Sequence, residues 1–171
     1  MDDDKDQPFL VRDATFEELD EIAGVLKDSY EEYGPAVAAQ VAEGHSTDLA
    51  NLREVPEDLD LIVAVRNGEL VGSVSFYRNG SRYASGWPPD WPAIRLLAVR
   101  PCARAAGIGR ALTMECVFRA RQAGAKRVGL HTTSFMDAAR SMYERIGFRR
   151  LPALDVEYAP GSSVLGYVLE L

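Results

Sequence analysis

Leu96-Leu97-Ala98-Val99-Arg100-Pro101-Cys102-Ala103-Arg104-Ala105-Ala106-Gly107-Ile108-Gly109-Arg110 is the stretch on which the reading of this chain turns. It begins as a short apolar strand ending at Val99. A loop of arginine, alanine and glycine follows, and then a helix from about Gly107 to Gln122, stopped by Gly124. Small residues at 105, 106, 107 and 109 let another group approach the main chain. A helix that starts there turns its first N–H groups and the positive end of its dipole into the loop. Such a corner suits an anion, best a phosphate or pyrophosphate, with Arg100, Arg104 and Arg110 as charge partners. Two other phosphate loops fail on the residues. A Walker loop needs Gly-Lys-Ser/Thr, and Gly109 is followed by Arg110-Ala111; a dinucleotide loop needs a third glycine where Leu112 stands. An ordinary strand–turn–helix corner also uses glycine and arginine.

Outward from that corner the pattern stays mixed. Phe9–Arg12 reads as a strand. Thr15 with Glu18 forms a capping box before a helix whose apolar face holds Phe16, Leu19, Ile22, Ala23, Leu26, Tyr30 and Tyr33, ending near Gly34-Pro35. A weaker helix follows over Pro35–Glu43. Leu61–Arg66 and Glu69–Tyr77 form a hairpin about Asn67-Gly68, the preferred type I′ pair. A long loop, Arg78–Trp91, leads to a strand at Ala93–Val99. After the glycine-loop helix come a strand at Arg127–Thr132, a helix capped by Ser134 and Asp137 and stopped by Gly147, and strands at Phe148–Leu151 and Ser163–Leu171. This order is a mixture of α and β with an antiparallel front, not a βα alternation.

Bulk properties narrow the class. The 171 residues make one domain with a real core, and 47% hydrophobic and 26% charged residues are ordinary for a globular protein. No apolar run approaches a membrane span, nothing resembles a signal peptide, and two cysteines, Cys102 and Cys116, build no disulfide framework. The expectation is a cytoplasmic protein with no membrane partner. Residues 1–7 read as a disordered acidic tail. A net charge of −7 argues against nucleic acid. The charge is also uneven. Residues 1–60 hold 18 acids and 4 bases, whereas residues 100–127 hold 7 bases and one acid, Glu115. That asymmetry suits an anionic cofactor and a cationic acceptor.

The loop resembles the cofactor loop of the GCN5-related N-acetyltransferases (GNAT), Arg/Gln-x-x-Gly-x-Gly/Ala after a strand and opening a helix. Arg104, Gly107 and Gly109 fall in register. A second motif, Ala139-Arg-Ser-Met-Tyr143-Glu-Arg-Ile-Gly147-Phe148, is similar to the family's A-x-x-L-Y-E-x-x-G-F. The order of elements matches as well, so the resemblance covers residues 8–171. It implies a single GNAT-like domain of the α/β (α+β) class. A central, mixed, mostly antiparallel sheet of six to seven strands would be flanked by about four helices. It implies an N-acetyltransferase that moves an acetyl group from acetyl-CoA directly to a primary amine on a small molecule or peptide, and it allows a homodimer.

The resemblance also assigns roles. It implies a splayed strand at Leu97-Ala98-Val99, whose backbone N–H groups at Leu97 and Val99 hold the pantetheine arm and the thioester oxygen. It implies a pyrophosphate held along Arg104-Ala105-Ala106-Gly107-Ile108-Gly109-Arg110, and Tyr143 as the acid that protonates the departing thiolate. On periodicity alone Tyr143 is a core residue of its helix. Many members carry a glutamate base just before the Leu96–Val99 segment. Trp91–Arg95 holds no acid, and Asp90 is the nearest candidate, with Glu31, Glu32, Glu69 and His131 as others. Met136 stands where many members hold an asparagine. Tyr30, Glu31, Glu32 and Tyr33, with Tyr83, Trp87 and Trp91, are candidates to line an amine site or to anchor a lid. Two histidines and two cysteines without close spacing predict no metal site. The missing glutamate keeps a non-catalytic acyl-CoA-binding regulator open as an alternative, and a mainly structural interaction module is a third reading.

Overall fold

The computed structural model describes residues 7–34, 58–80, 87–159 and 162–171. The helix expected over Pro35–Glu43, the tail up to residue 6, His45 and Tyr83 lie outside these. Eight strands pair in one mixed sheet in the order β1-β2-β3-β4-β5-β8-β6, with β7 off β8. By contacts the chain divides into two units, Met1–Phe76 with Leu96–Glu115, and Tyr77–Arg95 with Cys116–Leu171.

The first unit opens with β1 (Leu10–Asp13), which pairs antiparallel with β2 (Leu59–Arg66). β3 (Glu69–Tyr77) follows β2 through Asn67 and Gly68, at φ +54° and +84°. Two positive φ values in a two-residue loop are what a type I′ hairpin demands. Helix α1 (Leu19–Tyr30) is entered through a 3-10 turn at Phe16–Glu18, where the Thr15 N–H donates to Glu18 Oε2 at 2.8 Å. Leu19, Ile22, Val25 and Leu26 bury the apolar face of α1 against Leu61, Val63, Leu70 and Ala98. Phe16, expected on that face, is 66% exposed, because the 3-10 turn takes it off the helical repeat. The C-terminal part of β4 (Ala93–Val99) and the first part of helix α2 (Ile108–Gln122) complete the unit. A Cβ at Gly72 of β3 would sit 3.1 Å from the Ala98 carbonyl, Ile108 and Leu112. Glycine there lets α2 lie close against the strand.

In the second unit the start of β4 runs parallel to β5 (Arg127–Thr133), with Ala93 opposite Gly129 and Ile94 opposite Leu130. β5 pairs antiparallel with β8 (Ser162–Glu170), which also carries β6 (Arg149–Arg150) and β7 (Val156–Ala159). These two short strands bring the sheet to eight. Residues 148–151 give a two-residue strand because Pro152–Leu154 turns at once into a 3-10 turn. Helix α3 (Asp137–Ile146) starts without a side-chain cap: its N-cap is Met136, so Ser134 does not take the expected role. Among the described residues there are three α-helices.

Candidate active site

The corner behind β4 has the geometry of an anion nest. A 3-10 turn at Pro101–Ala103 buries Ala103 and uses the Arg104 N–H, which donates to the Pro101 carbonyl at 3.3 Å. Ala105 (φ +63°) and Gly107 (φ +78°) are left-handed. Left-handed residues just ahead of a helix start are a setting in which main-chain N–H groups can be turned toward an anion. The first helical bond runs from the Ala111 N–H to the Gly107 carbonyl at 2.9 Å. The N–H groups of Ile108, Gly109 and Arg110 therefore precede the helical ladder. Ile108 is 1% exposed and pins the helix start, while Gly107 and Arg110 face solvent. A Cβ on Gly107 would meet nothing within 4 Å, so glycine serves the left-handed turn here and the space above it is open.

The arginines have other work. Arg104 donates through Nε to the Val99 carbonyl (3.3 Å), through Nη2 to the Ser29 carbonyl (2.9 Å) and through Nη1 to the Glu32 carboxylate. Arg100 pairs with Asp28 and donates through Nε to the Leu70 carbonyl at 2.9 Å. Both guanidiniums, expected around an anion, instead tie the end of α1 to the loop. Among the three, Arg110 is the exposed one.

β4 itself is bent at Leu96, whose φ of +52° is a costly conformation for leucine. Beyond it the main chain alternates. The Arg100 N–H donates to the Val71 carbonyl of β3, and the Ala98 carbonyl lies beside Gly72. The carbonyls of Leu97 and Val99, on the other edge, are taken by side chains: the Tyr30 hydroxyl donates to Leu97 at 3.0 Å, and Arg104 serves Val99. Tyr30, a candidate for an amine site, thus bonds the strand.

In the second unit Tyr143 lies on the inner face of α3, 5% exposed, with its ring 5.8 Å from that of Phe148. Helix α3 ends with Gly147 at φ +114°. The Gly147 N–H donates to the Glu144 carbonyl, and the Phe148 N–H reaches back to the Tyr143 carbonyl at 3.0 Å. This is a Schellman ending, and Tyr143 and Phe148 form its customary apolar contact. The spacing of the second motif therefore has a structural cause independent of the phenol. Asp90 is exposed in a turn closed by the Trp91 N–H on the Pro88 carbonyl at 3.1 Å. Glu31 is exposed, Glu32 is paired with Arg104, and Glu69 is the exposed first residue of β3.

His131 donates through Nε2 to the Leu154 carbonyl at 2.6 Å, and its ring meets Trp87 edge-on at 4.9 Å. Burial pushes its pKa down, which favours the neutral ring. Trp87 is buried, and Trp91 lies beneath the Arg127 guanidinium, 5.0 Å from the ring centre. Burial raises the Tyr33 phenol. Cys102 is exposed and Cys116 buried, and neither is in a disulfide. Among the described residues no three His, Cys, Asp or Glu side chains are grouped to hold a metal, and no helix is long and apolar enough to cross a membrane.

Sequence reasoning missed the clamp on α1, though a signal was there. Asp28 and Glu32 are four apart, as are Arg100 and Arg104, and the pairs match in order. The bend at Leu96 has no such signal, since leucine does not announce a left-handed φ.

The turn before α2 is a corner open to an anion, and comparison with known proteins gives the class. Residues 19–148 match the acetyltransferase (GNAT) family model, so the chain belongs to that family. It is an enzyme of the N-acetyltransferase class. It is 27% identical over 157 residues to the uncharacterized N-acetyltransferase YjgM of Escherichia coli K12, covering 91% of this chain and 87% of that one. It is 37% identical over 101 residues to a mycothiol acetyltransferase of Cellulomonas flavigena, covering 58% of this chain and 29% of that longer protein. The fold is shared with the PaiA N-acetyltransferase of Thermoplasma acidophilum, solved in complex with coenzyme A. The TM-score is 0.71 at 17% identity, over 96% of this chain and all of that one.

Proposed function

We propose that residues 8–171 form a single domain that transfers an acetyl group from acetyl-CoA directly to a primary amine. The nest before α2 carries this reading: left-handed Ala105 and Gly107, open space above Gly107, and three N–H groups ahead of the helical ladder. Such a corner holds a pyrophosphate through the main chain of residues 105–110, with the exposed Arg110 adding charge. Acetyl-CoA supplies the activated thioester. The edge of β4 at Leu97-Ala98-Val99 receives it, and backbone donors aimed at a developing oxyanion are worth ~3–4 kcal/mol in acyl-transfer enzymes. Tyr143 protonates the leaving thiolate and Asp90 is the candidate base. The acceptor is a small-molecule or peptide amine. In this reading the enzyme is cytoplasmic and works alone or as a homodimer, without a metal. Calorimetry with acetyl-CoA, followed by a broad screen of primary amines with a free-thiol readout, tests it. Absent binding would end it.

The near-complete burial of Tyr143 favours a second reading, an acyl-CoA-binding regulator without turnover. Tight acetyl-CoA binding with only slow thioester hydrolysis across the whole amine panel would select it.

A further inference from the structure

The bend at Leu96 needs an explanation. A leucine at φ +52° stands in backbone space that L side chains rarely adopt and persists only where its surroundings over-determine it. The surroundings are on hand. Leu96 and Ala98 face the α1 cluster, and Tyr30 packs against that same cluster. From there the Tyr30 hydroxyl reaches the edge of β4 and donates to the Leu97 carbonyl at 3.0 Å. That carbonyl shares its edge with the Leu97 N–H, because in a strand the two groups of one residue point the same way. Arg104 repeats the arrangement one pleat further on, at the Val99 carbonyl. The carbonyls on this edge are therefore held from within the first unit, by side chains.

We infer that Tyr30 is a positioning residue for acyl binding. Its hydroxyl fixes the Leu97–Ala98 peptide plane, which lies between the planes that carry the Leu97 and Val99 N–H groups, and so holds both groups toward the acyl carbonyl. This inference rests on the reading of β4 as the strand that receives the thioester. Two consequences separate it from a merely structural role. The acyl group should feel the loss of the hydroxyl, and the diphosphate should not, because the nest around Gly107 has its own supports in Ile108 and the 3-10 turn at Pro101–Ala103.

The test is calorimetry of Tyr30→Phe with acetyl-CoA and, separately, with free CoA. Phenylalanine keeps the ring in the α1 cluster, and a thermal midpoint checks that the fold is retained. Acetyl-CoA is expected to bind about tenfold more weakly, the scale of one lost hydrogen bond, while CoA stays within about twofold of the unsubstituted protein. Equal weakening of both ligands, or no change in either, overturns the role of Tyr30. The amide resonances of Leu97 and Val99 in the unsubstituted protein settle the underlying reading independently. If acetyl-CoA and CoA leave them in the same place, β4 does not receive the acyl group. If they differ while Tyr30→Phe keeps the affinity ratio, only the part given to Tyr30 fails.

Discussion

Tyr143 carries two separable properties. Its ring closes the apolar contact at the end of α3, and its hydroxyl is the proposed acid. Tyr143→Phe keeps the first and removes the second. The expected outcome is a turnover lowered roughly 10²-fold or more, with CoA affinity within about threefold. Turnover equal to that of the unsubstituted enzyme would take the acid role from it. At Gly107 the requirement is the left-handed turn itself. Gly107→Val places a β-branched residue at φ +78°, straightens the nest, and is expected to abolish acetyl-CoA binding by calorimetry. Glu18 gives a pH signature. Arg12 grips its carboxylate at 2.6 and 2.8 Å, the Thr15 N–H adds a third bond, and the pKa falls from an ordinary 4.5 to about 2. A depressed carboxyl adds stability that is complete above its unfolded pKa and lost as the pH falls toward the folded one. The thermal midpoints of the unsubstituted protein and Glu18→Gln should therefore differ by a constant amount above about pH 5 and converge between about pH 4.5 and 2. Parallel curves throughout that window would mean that the pair contributes nothing.

Elements show why some local readings succeed. β3 and β4 fall where the residues put them, because Asn67-Gly68 fixes one end of β3 and the run Ala93–Val99 is bounded by Pro92 and Pro101. β7 has no such boundary, since Val156-Glu157-Tyr158-Ala159 is short and pairs with β8 through an irregular register. Ser134 looked like a cap, but the turn at Ser134-Phe135 moves the helix start to Asp137. The turn ahead of α2 was legible because left-handed residues and a helix start are written in the small residues of the local sequence. The clamp between α1 and the loop left only its matched i,i+4 spacings as a trace, since it joins residues about 70 positions apart, as with Arg104 and Glu32. The Schellman ending of α3 yields a stability prediction. Gly147→Ala forces φ +114° on a residue with a Cβ and is expected to cost about 1–2 kcal/mol in urea unfolding, with acetyl-CoA affinity unchanged. A cost near zero would mean that the turn relaxes.

For the molecule as a whole, the two motifs at 104–109 and 139–148 together with the order of elements pointed to the family, whereas side-chain roles were not fixed by them. Arg100 and Arg104 sit in the expected loop and spend their guanidiniums on α1. A ligand that binds the native state alone should raise global stability by ~2.7 kcal/mol at a hundredfold excess over its dissociation constant. The expected outcome is a higher thermal midpoint with acetyl-CoA, and an unmoved midpoint would count against a nucleotide site anywhere in the chain. Trp87 and Trp91 are the chain's two tryptophans, and both belong to the unit that holds β5 and β8. Indole emission during unfolding therefore listens to that unit and is deaf to the one that bears the nest. Circular dichroism hears both, so a gap between the optical and the dichroic transitions would reveal a half-molten intermediate in which one unit has lost its order before the other.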